Sequence, residues 1–195
     1  MQRNILSDLP IIGIGGLAGS GKSTAAAYLA ERHGFARVRF AGPLKAMLRA
    51  YFAEIGVGPA VTEAMIEGDL KEAPSALLAG RSPRYAMQHL GTGFGRDLMH
   101  PDFWVEAWQN AVVAAMERGA WGVVAEDCRF ENEAAAVRGL GGSVLRIERP
   151  GLQALAGGHA SEAGIAQAYS ILNDGDTDTL FARLDFVIRR IERAA

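Results

Sequence analysis

The sequence has little cysteine, little lysine and no long apolar run, and each shortage narrows the class of protein. The single cysteine, Cys128, excludes an internal disulfide and is typical of a reducing compartment. No apolar run approaches the ~20 residues that a membrane-spanning helix needs. Asp8 and Pro10 interrupt any signal-peptide core near the start. We therefore expect a cytoplasmic protein with no membrane partner.

A surplus of positive charge is also missing. The formal net charge is −2, which gives no electrostatic footprint for a nucleic-acid partner. The hydrophobic fraction of 49% supplies a real core, and 195 residues fit one domain or one domain with a sizeable insertion. We expect a single domain over residues 1–195. Nothing in the sequence reports an interface, so a homodimer stays open.

Lysine occurs only at Lys22, Lys45 and Lys71, and arginine supplies the rest of the positive side-chain charge. A lysine retained in an arginine-rich chain can act as a compact point charge that arginine cannot replace. Solvated surface is the alternative interpretation of three scattered lysines.

The apolar pattern alternates short strands with helices. Strands are predicted at 11–15, 36–40, 121–125, 143–147 and 169–172. Helices are predicted at 23–33, 43–52, 83–98, 101–118, 131–139 and 177–193. This alternation predicts an α/β fold, a parallel sheet with helices on both faces. The helical block at about 43–118 is a long excursion that could carry a second binding site, and the glycine-rich stretch at about 150–167 is predicted to be mobile.

The stretch Gly16-Leu-Ala-Gly-Ser-Gly-Lys22-Ser23 matches the phosphate-binding P-loop pattern G-x-x-x-x-G-K-[ST] in full. It follows a predicted strand and opens a predicted helix, as the motif requires. Glycines let backbone N–H groups surround a phosphate, and the helix N-terminus adds positive potential. Lys22 would reach the β- and γ-phosphates of ATP, and the Ser23 hydroxyl would ligate Mg²⁺. The other expected nucleotide-binding residues of the loop are Gly16, Ala18, Gly19, Ser20, Gly21 and Thr24.

A dinucleotide-binding loop is the competing interpretation, because Gly13-Ile-Gly15-Gly-Leu-Ala18 fits G-x-G-x-x-[GA]. That fingerprint needs an acidic residue about 20 positions later, at the end of the second strand. This chain has Arg37-Val-Arg39-Phe40 there. The P-loop is therefore the favoured interpretation.

Two carboxylates, Glu126 and Asp127, end the predicted strand at 121–125. An acid at this place in a P-loop protein holds Mg²⁺ or orients the acceptor oxygen. We predict Asp127 for the metal-side role, and Glu126 is the competitor for either role.

The predicted helix 83–98 has a polar stripe and an apolar side. The polar residues Arg84, Gln88, Thr92 and Arg96 would share one arc of the helix. Arginine forks suit a phosphate and an amide suits a base or sugar, so the stripe indicates an acceptor cleft. A solvated helix face is the alternative. Three glycines, at 91, 93 and 95, disfavour a plain helix and predict close packing or a break.

Most aromatic residues after this helix are expected in the core, although Trp104 is predicted to reach the cleft. Cys128 has no partner spacing for a metal and is expected to be inert.

With these residues in view, the sequence resembles the phage-type deoxynucleoside monophosphate kinases. The resemblance runs over most of the chain and is carried by an ordered set of motifs. They are GLAGSGKST (16–24), FAGPLK (40–45), RYAMQHLGT (84–92) with Gly95-Arg96, PDFW (101–104), DCRFENE (127–133), RIERP (146–150), HASE (159–162) and NDG (173–175). The P-loop alone is shared by very many ATPases, whereas the ordered set is much more specific.

The resemblance implies a P-loop kinase three-layer sandwich with a helical acceptor-binding insertion. It implies transfer of the γ-phosphoryl group of ATP, with Mg²⁺, to the 5′-phosphate of a small-molecule deoxynucleoside monophosphate. The acceptor would meet Lys45, Arg84, Gln88, Arg96 and Arg129, with Arg96 and Arg129 also acting in catalysis beside Lys22 and Asp127. Asn173 and Gly175 would lie near the adenine of ATP, and the loop around His159 would act as a lid that contacts the substrate.

The expected lid departs from the usual pattern because no Lys or Arg occurs between Arg149 and Arg183. The charge that neutralises the transferring group must come from elsewhere, and Arg129 and Arg149 are the predicted sources. Two other functions stay open. One is another small-molecule P-loop kinase, acting on dephospho-coenzyme A or phosphomevalonate. The other is a P-loop ATPase or nucleotide-sensing module without an acceptor.

Overall fold

A computed structural model describes residues 10–152 and 165–192 of the chain. They form two compact units. Unit 1 comprises the residues up to Phe40 and those from Gln109 onward, and unit 2 comprises Ala41–Trp108. The strands are β1 (Ile11–Gly15), β2 (Phe35–Arg37), β3 (Gly122–Ala125), β4 (Ser143–Glu148) and β5 (Tyr169–Leu172). The helices are α1 (Lys22–His33), α2 (Gly42–Glu54), α3 (Pro59–Ile66), α4 (Pro83–His89), α5 (Phe103–Glu117), α6 (Glu131–Gly139) and α7 (Thr177–Glu192), with a π-helix at Leu90–Met99 and 3₁₀ turns at Asp69–Glu72 and Ala76–Leu78.

The five strands of unit 1 form one parallel sheet in the order β2-β3-β1-β4-β5. The central strand β1 is buried along its whole length, which explains its apolar sequence Ile-Ile-Gly-Ile-Gly. This order decides between the two interpretations of the glycine-rich loop. In the dinucleotide-binding fold the first strand neighbours the second, whereas here β1 lies between β3 and β4. The dinucleotide interpretation is therefore rejected.

Helix α1 begins after Gly21 and is followed by Gly34, and both glycines are in the left-handed region, with φ of 106° and 71°. A left-handed residue is a common helix stop because glycine adopts it without strain. At its C-terminal end, α1 is joined to α7. Asp185 Oδ1 of α7 accepts a hydrogen bond from the Tyr28 hydroxyl at 2.8 Å. The same oxygen lies 2.8 Å from His33 Nε2. The Tyr28 ring also stacks on Phe181 with a centroid separation of 3.9 Å.

Unit 2 has its own small core. Its buried residues are Leu44, Leu48, Phe52, Met65, Ile66, Met87 and Trp104. Ion pairs also join α2 to the end of α3. Lys45 Nζ lies 2.9 Å from both carboxylate oxygens of Glu67, and Arg49 Nε lies 2.5 Å from Glu63 Oε1.

Several predicted boundaries are confirmed and others are wrong. Strands β1 and β5 and helix α6 have the predicted bounds. The second strand is shorter than predicted and ends at Arg37. Val38 N still donates to Val124 O at 2.9 Å, but Phe40 N–H then donates to the Asp127 side chain, so the chain leaves the sheet. The predicted helix 83–98 is an α-helix followed by a π-helix, and α3 was not predicted.

None of the helices in the described part of the chain has the length and hydropathy needed to cross a membrane.

Candidate active site

The loop between β1 and α1 has a backbone that only glycine accepts at several places. Gly16, Gly19 and Gly21 have φ of 134°, 78° and 106°. A Cβ on Gly16 would overlap the carbonyl oxygen of Ile147, and a Cβ on Gly21 would lie 2.6 Å from Asn173 Nδ2. Gly16 and Gly21 are therefore required both by conformation and by close neighbours, whereas Gly19 is required by conformation alone.

Lys22 is half-buried and turns back over this loop. Its Nζ donates to the carbonyl oxygens of Gly16 at 2.7 Å and Leu17 at 2.6 Å. Ser23 and Thr24, in the first turn of α1, are exposed, as are Ala18 and Gly19 in the loop. The first turn of α1 carries no acidic residue, so no side-chain carboxylate there offsets the positive end of the helix dipole. This is an arrangement that attracts phosphate groups.

Ser20 differs from its loop neighbours because its side chain is buried, at 1% exposure. Its Oγ has no hydrogen-bond partner among the described residues. Its backbone carbonyl accepts a hydrogen bond from Asn173 Nδ2 at 2.8 Å. Asn173, which follows β5, also donates its backbone N–H to Glu148 O at 2.6 Å. The predicted nucleotide-binding residue Asn173 thus bonds the phosphate loop itself.

The two carboxylates after β3 have different surroundings. Glu126 is 4% exposed and is paired with Arg37 Nη2 at 2.5 Å and with Arg39 Nε at 3.7 Å. Asp127 is only partly buried, and its Oδ1 accepts the Phe40 backbone N–H at 3.0 Å. Glu126 is therefore committed to the two arginines that follow or end β2, whereas Asp127 lies nearer to solvent.

A capping arrangement positions the segment that carries Arg129. The buried carboxylate of Glu133 accepts the backbone N–H groups of Arg129 at 2.7 Å and Phe130 at 3.1 Å. This fixes the start of α6 at Glu131, four residues after Asp127. The Arg129 side chain is exposed, as is that of Arg149 after β4. Gly175, after β5, is also exposed and begins the turn into α7.

The predicted acceptor residues in unit 2 are held by neighbours within that unit. Lys45 is paired with Glu67, and Arg84 Nε donates to Glu72 Oε1 at 2.7 Å. Arg96, in the π-helix, donates from Nη1 to the Pro101 carbonyl at 3.3 Å. Gln88 is exposed on α4. Two of these cations thus already face a carboxylate.

Comparison with known proteins identifies the family. Residues 79–184 match the model of the family described as deoxynucleotide monophosphate kinase. A provisionally named deoxynucleotide monophosphate kinase of Acanthamoeba polyphaga mimivirus is 34% identical over 154 residues, which cover 73% of this chain and 75% of that protein. The chain belongs to the deoxynucleotide monophosphate kinase family.

The fold of this kinase agrees with that assignment. Dephospho-CoA kinase from Campylobacter jejuni superimposes with a TM-score of 0.50 at 16% identity, covering 94% of this chain and 98% of that structure. At this identity the likeness shows the fold alone, a P-loop kinase fold with helices around a parallel sheet. The predicted fold class is confirmed.

Two predicted features of the kinase cannot be placed. His159 and residues 153–164 of the predicted lid lie outside the described residues. The chain just after this gap is anchored to α6. Ala166 N–H donates to Glu131 Oε2 at 3.3 Å, and its carbonyl accepts from Arg138 Nη1 at 3.0 Å.

Some residues that surround the candidate site were not singled out from the sequence. Arg37 and Arg39 were considered only because they stand where a dinucleotide-binding fold needs an acidic residue. Their pairing with Glu126 is the kind of contact that a buried carboxylate requires. Glu133 stands three residues after Phe130, which is the spacing of the glutamate in a capping box, but Phe130 has no side-chain oxygen, so the sequence carries only half of that signal. The link from Asn173 to the phosphate loop has no local signal.

Proposed function

We propose that this kinase transfers the γ-phosphoryl group of ATP to the 5′-phosphate of a deoxynucleoside monophosphate, giving ADP and the deoxynucleoside diphosphate. The observation that carries the proposal is a complete phosphate loop after the central strand of a chain in this family. An oxygen of the acceptor's phosphate attacks the γ-phosphorus while the bond to the β-phosphate oxygen breaks. Such transfers have a loose transition state, so positioning and charge neutralisation dominate catalysis.

The loop residues bind the donor phosphates in this proposal. Lys22 exchanges its hydrogen bonds with the Gly16 and Leu17 carbonyls for the β- and γ-phosphate oxygens. Backbone N–H groups of the loop and the N-terminus of α1 add further positive potential. Charged hydrogen bonds to phosphate are stronger than those to a neutral carbonyl, so this exchange is favourable.

The donor set near the loop fits Mg²⁺. Mg²⁺ is usually held by one or two protein oxygens together with substrate phosphates and water. A hydroxyl from Ser23 and a carboxylate from Asp127 meet that need. Among residues 10–152 and 165–192 no group of three or more His, Cys, Asp or Glu side chains is placed to hold a metal by itself. Ser23 and Asp127 would hold Mg²⁺, which when bound would supply positive charge against the negative charge of the donor phosphates.

Asp127 takes the metal-side role in preference to Glu126. Glu126 is buried and its charge is balanced by Arg37 and Arg39. Moving it toward a metal would leave those arginines without their carboxylate. Asp127 keeps its position through the Phe40 N–H and is more accessible to solvent.

The acceptor is bound by cations of α2, α4 and the π-helix. Lys45, Arg84 and Arg96 would bind its phosphate, and the amide of Gln88 would bind its base or sugar. Lys45 and Arg84 exchange the carboxylates of Glu67 and Glu72 for that phosphate. Arg129 and Arg149, both exposed, supply charge for the transferring group. We assign Trp104 a structural role, since its side chain is only 3% exposed.

The first experiment is ADP release from Mg·ATP in a coupled assay. The acceptor panel contains deoxynucleoside and ribonucleoside monophosphates, dephospho-coenzyme A and phosphomevalonate. Stimulation by a deoxynucleoside monophosphate is expected. Stimulation by dephospho-coenzyme A or phosphomevalonate alone, or acceptor-independent ADP release, would reject the proposal.

The matched variants are Lys22→Ala and Lys71→Ala, which remove the same side chain from the phosphate loop and from a 3₁₀ turn of unit 2. Lys22→Ala should lower kcat by about 100-fold or more, as for loss of one preorganised charge-stabilising donor. Lys71→Ala should keep normal turnover. A folded Lys22→Ala protein with near-normal turnover contradicts the proposed donor site.

A further inference from the structure

The helix that carries Arg96 is unusual. Residues Leu90–Met99 form a π-helix of 10 residues directly after α4. π-helical hydrogen bonds join residues five apart, and they are rare beyond a single turn. A π-helix also turns each residue by less than an α-helix does. The direction of the Arg96 side chain therefore depends on keeping the π pattern through the residues before it.

Trp104, near the start of α5, lies directly against this π-helix. Its Nε1 donates to the Gly91 carbonyl at 2.8 Å. A Cβ on Gly95 would overlap Nε1 and Cε2 of the same indole and lie 2.9 Å from Cζ2. The indole occupies the space in which any other residue at position 95 would place its side chain. A side chain inserted against the helix backbone is a recognised cause of departure from α-helical bonding.

The three glycines of this segment are not equivalent. A Cβ on Gly93 would meet no other heavy atom of the described structure within 4 Å, and one on Gly91 would have ordinary contact with Leu44 at 3.6 Å. Only Gly95 is required by the indole. The requirement for glycine is therefore local to the Trp104 contact, and Gly93 offers a matched control on the same helix.

We propose that Trp104 is a positioning residue for the acceptor. Its indole, through Gly91 and Gly95, holds the π-helix in the geometry that directs Arg96 to the acceptor's phosphate. This inference rests on the proposed function, in which Arg96 binds that phosphate. Trp104 itself is enclosed and acts through Arg96.

The principal variant is Trp104→Phe, which keeps an aromatic ring and removes the N–H donor to Gly91. The KM for the deoxynucleotide acceptor should rise about tenfold, because a displaced Arg96 would bind the acceptor's phosphate less well. The KM for ATP should change less than about twofold, because the donor site is not involved. The control is Trp108→Phe, one turn later on α5 and also buried. Equal acceptor KM values in the two variants would overturn the proposal.

A double-mutant cycle with Arg96→Ala tests whether Trp104 acts through Arg96. Once Arg96 is absent, Trp104→Phe should add less than about a twofold further change in acceptor KM. Full additivity would overturn the proposal, because it would mean that Trp104 acts by another route. Wild-type enzyme without deoxynucleotide-dependent ADP release would instead reject the proposed function, and it would be seen before any variant is made.

Hydrogen exchange gives a readout that does not depend on activity. Gly95→Ala and Trp104→Phe should each speed amide exchange in residues 90–100, whereas Gly93→Ala should not. Each protein is first checked for an intact thermal transition. If Gly95→Ala does not fold, Trp104→Phe and Gly93→Ala still make the comparison. Unchanged exchange in folded Trp104→Phe would overturn the role of the indole in holding the π-helix.

Discussion

Asn173 donates a hydrogen bond from its side-chain amide to the backbone carbonyl of Ser20, with a separation of 2.8 Å. The two residues lie at the end of β5 and in the phosphate loop. The same amide group lies where a side chain on Gly21 would have to be placed. The residue that follows β5 thus helps to fix the shape of the phosphate loop, which follows β1.

Replacing Asn173 by alanine should loosen the phosphate loop. Loss of one hydrogen bond to a partly buried carbonyl should cost about 1 kcal/mol of unfolding free energy. The KM for ATP should rise several-fold while the KM for the acceptor stays close to normal. Denaturant unfolding and steady-state kinetics measure the two effects. Asn110→Ala, at an exposed position of α5, is the control, and an equal change in that variant would contradict the role of Asn173.

The neighbours Glu126 and Asp127 should respond in opposite ways to neutral isosteres. Glu126→Gln removes the charge that balances Arg37 and Arg39, so the protein should lose about 1–3 kcal/mol of stability. Asp127→Asn should keep the Phe40 hydrogen bond and near-normal stability but lower kcat by about 100-fold. Thermal denaturation and turnover are measured on both proteins. The reverse pattern would move the metal-side role to Glu126.

Stability should fall in acid partly because of Asp185. Burial raises the pKa of this carboxyl, but the hydrogen bonds with His33 and Tyr28 outweigh burial and hold the pKa below its usual value. A group with a lowered pKa in the folded state stabilises the protein above its unfolded pKa of about 3.9. That stabilisation is lost as the pH falls through the folded pKa.

The measurement is the thermal midpoint between about pH 6 and pH 2.5 for wild-type protein, Asp185→Asn and Glu117→Gln. Asp185→Asn should be less stable at pH 6 and should lose less of its remaining stability in acid. Glu117, exposed at the end of α5, serves as the control carboxylate. A variant with the full acid dependence of the wild type would show that Asp185 is not involved.

Cys128 should be unreactive in the native protein. It is 2% exposed, and burial together with the nearby carboxylates of Glu133 and Asp127 raises the pKa of its thiol. Since the thiolate is the nucleophile, alkylation at pH 8 should be negligible without denaturant and rapid once the chain unfolds. Mass spectrometry after timed iodoacetamide treatment measures both rates. Rapid native labelling would contradict the packing around β3.

Regular elements were predictable where periodicity and end signals coincide. The buried run of β1 and the glycine that ends α1 gave correct boundaries because both signals are local. The π-helix was not predictable in kind, although its glycines indicated close packing or a break. The deciding contact comes from Trp104, which is 13 residues after Gly91 and lies on the next helix. Helix α3 lies between the predicted helices 43–52 and 83–98, in a stretch for which no element was predicted.

The site was predictable where its functional residues form a contiguous sequence motif. The phosphate loop and the strand-end acids are of this kind, and their positions follow from the strands that precede them. The sequence favoured Asp127 for the metal-side role but kept Glu126 as a competitor, because the difference between them depends on Arg37 and Arg39, which lie at and after the end of β2.

Helix α1 is fastened near both of its ends by the last part of the chain. Ser20, just before the helix, bonds Asn173, and His33 at its end pairs with Asp185, across sequence separations of 153 and 152 residues. The positions of the phosphate loop and of the helix that follows it therefore depend on residues that are far away in the sequence. Among relatives, substitutions at positions 33 and 185 should occur together. A recombinant that takes only its first forty residues from a relative should lose the contact between these two positions.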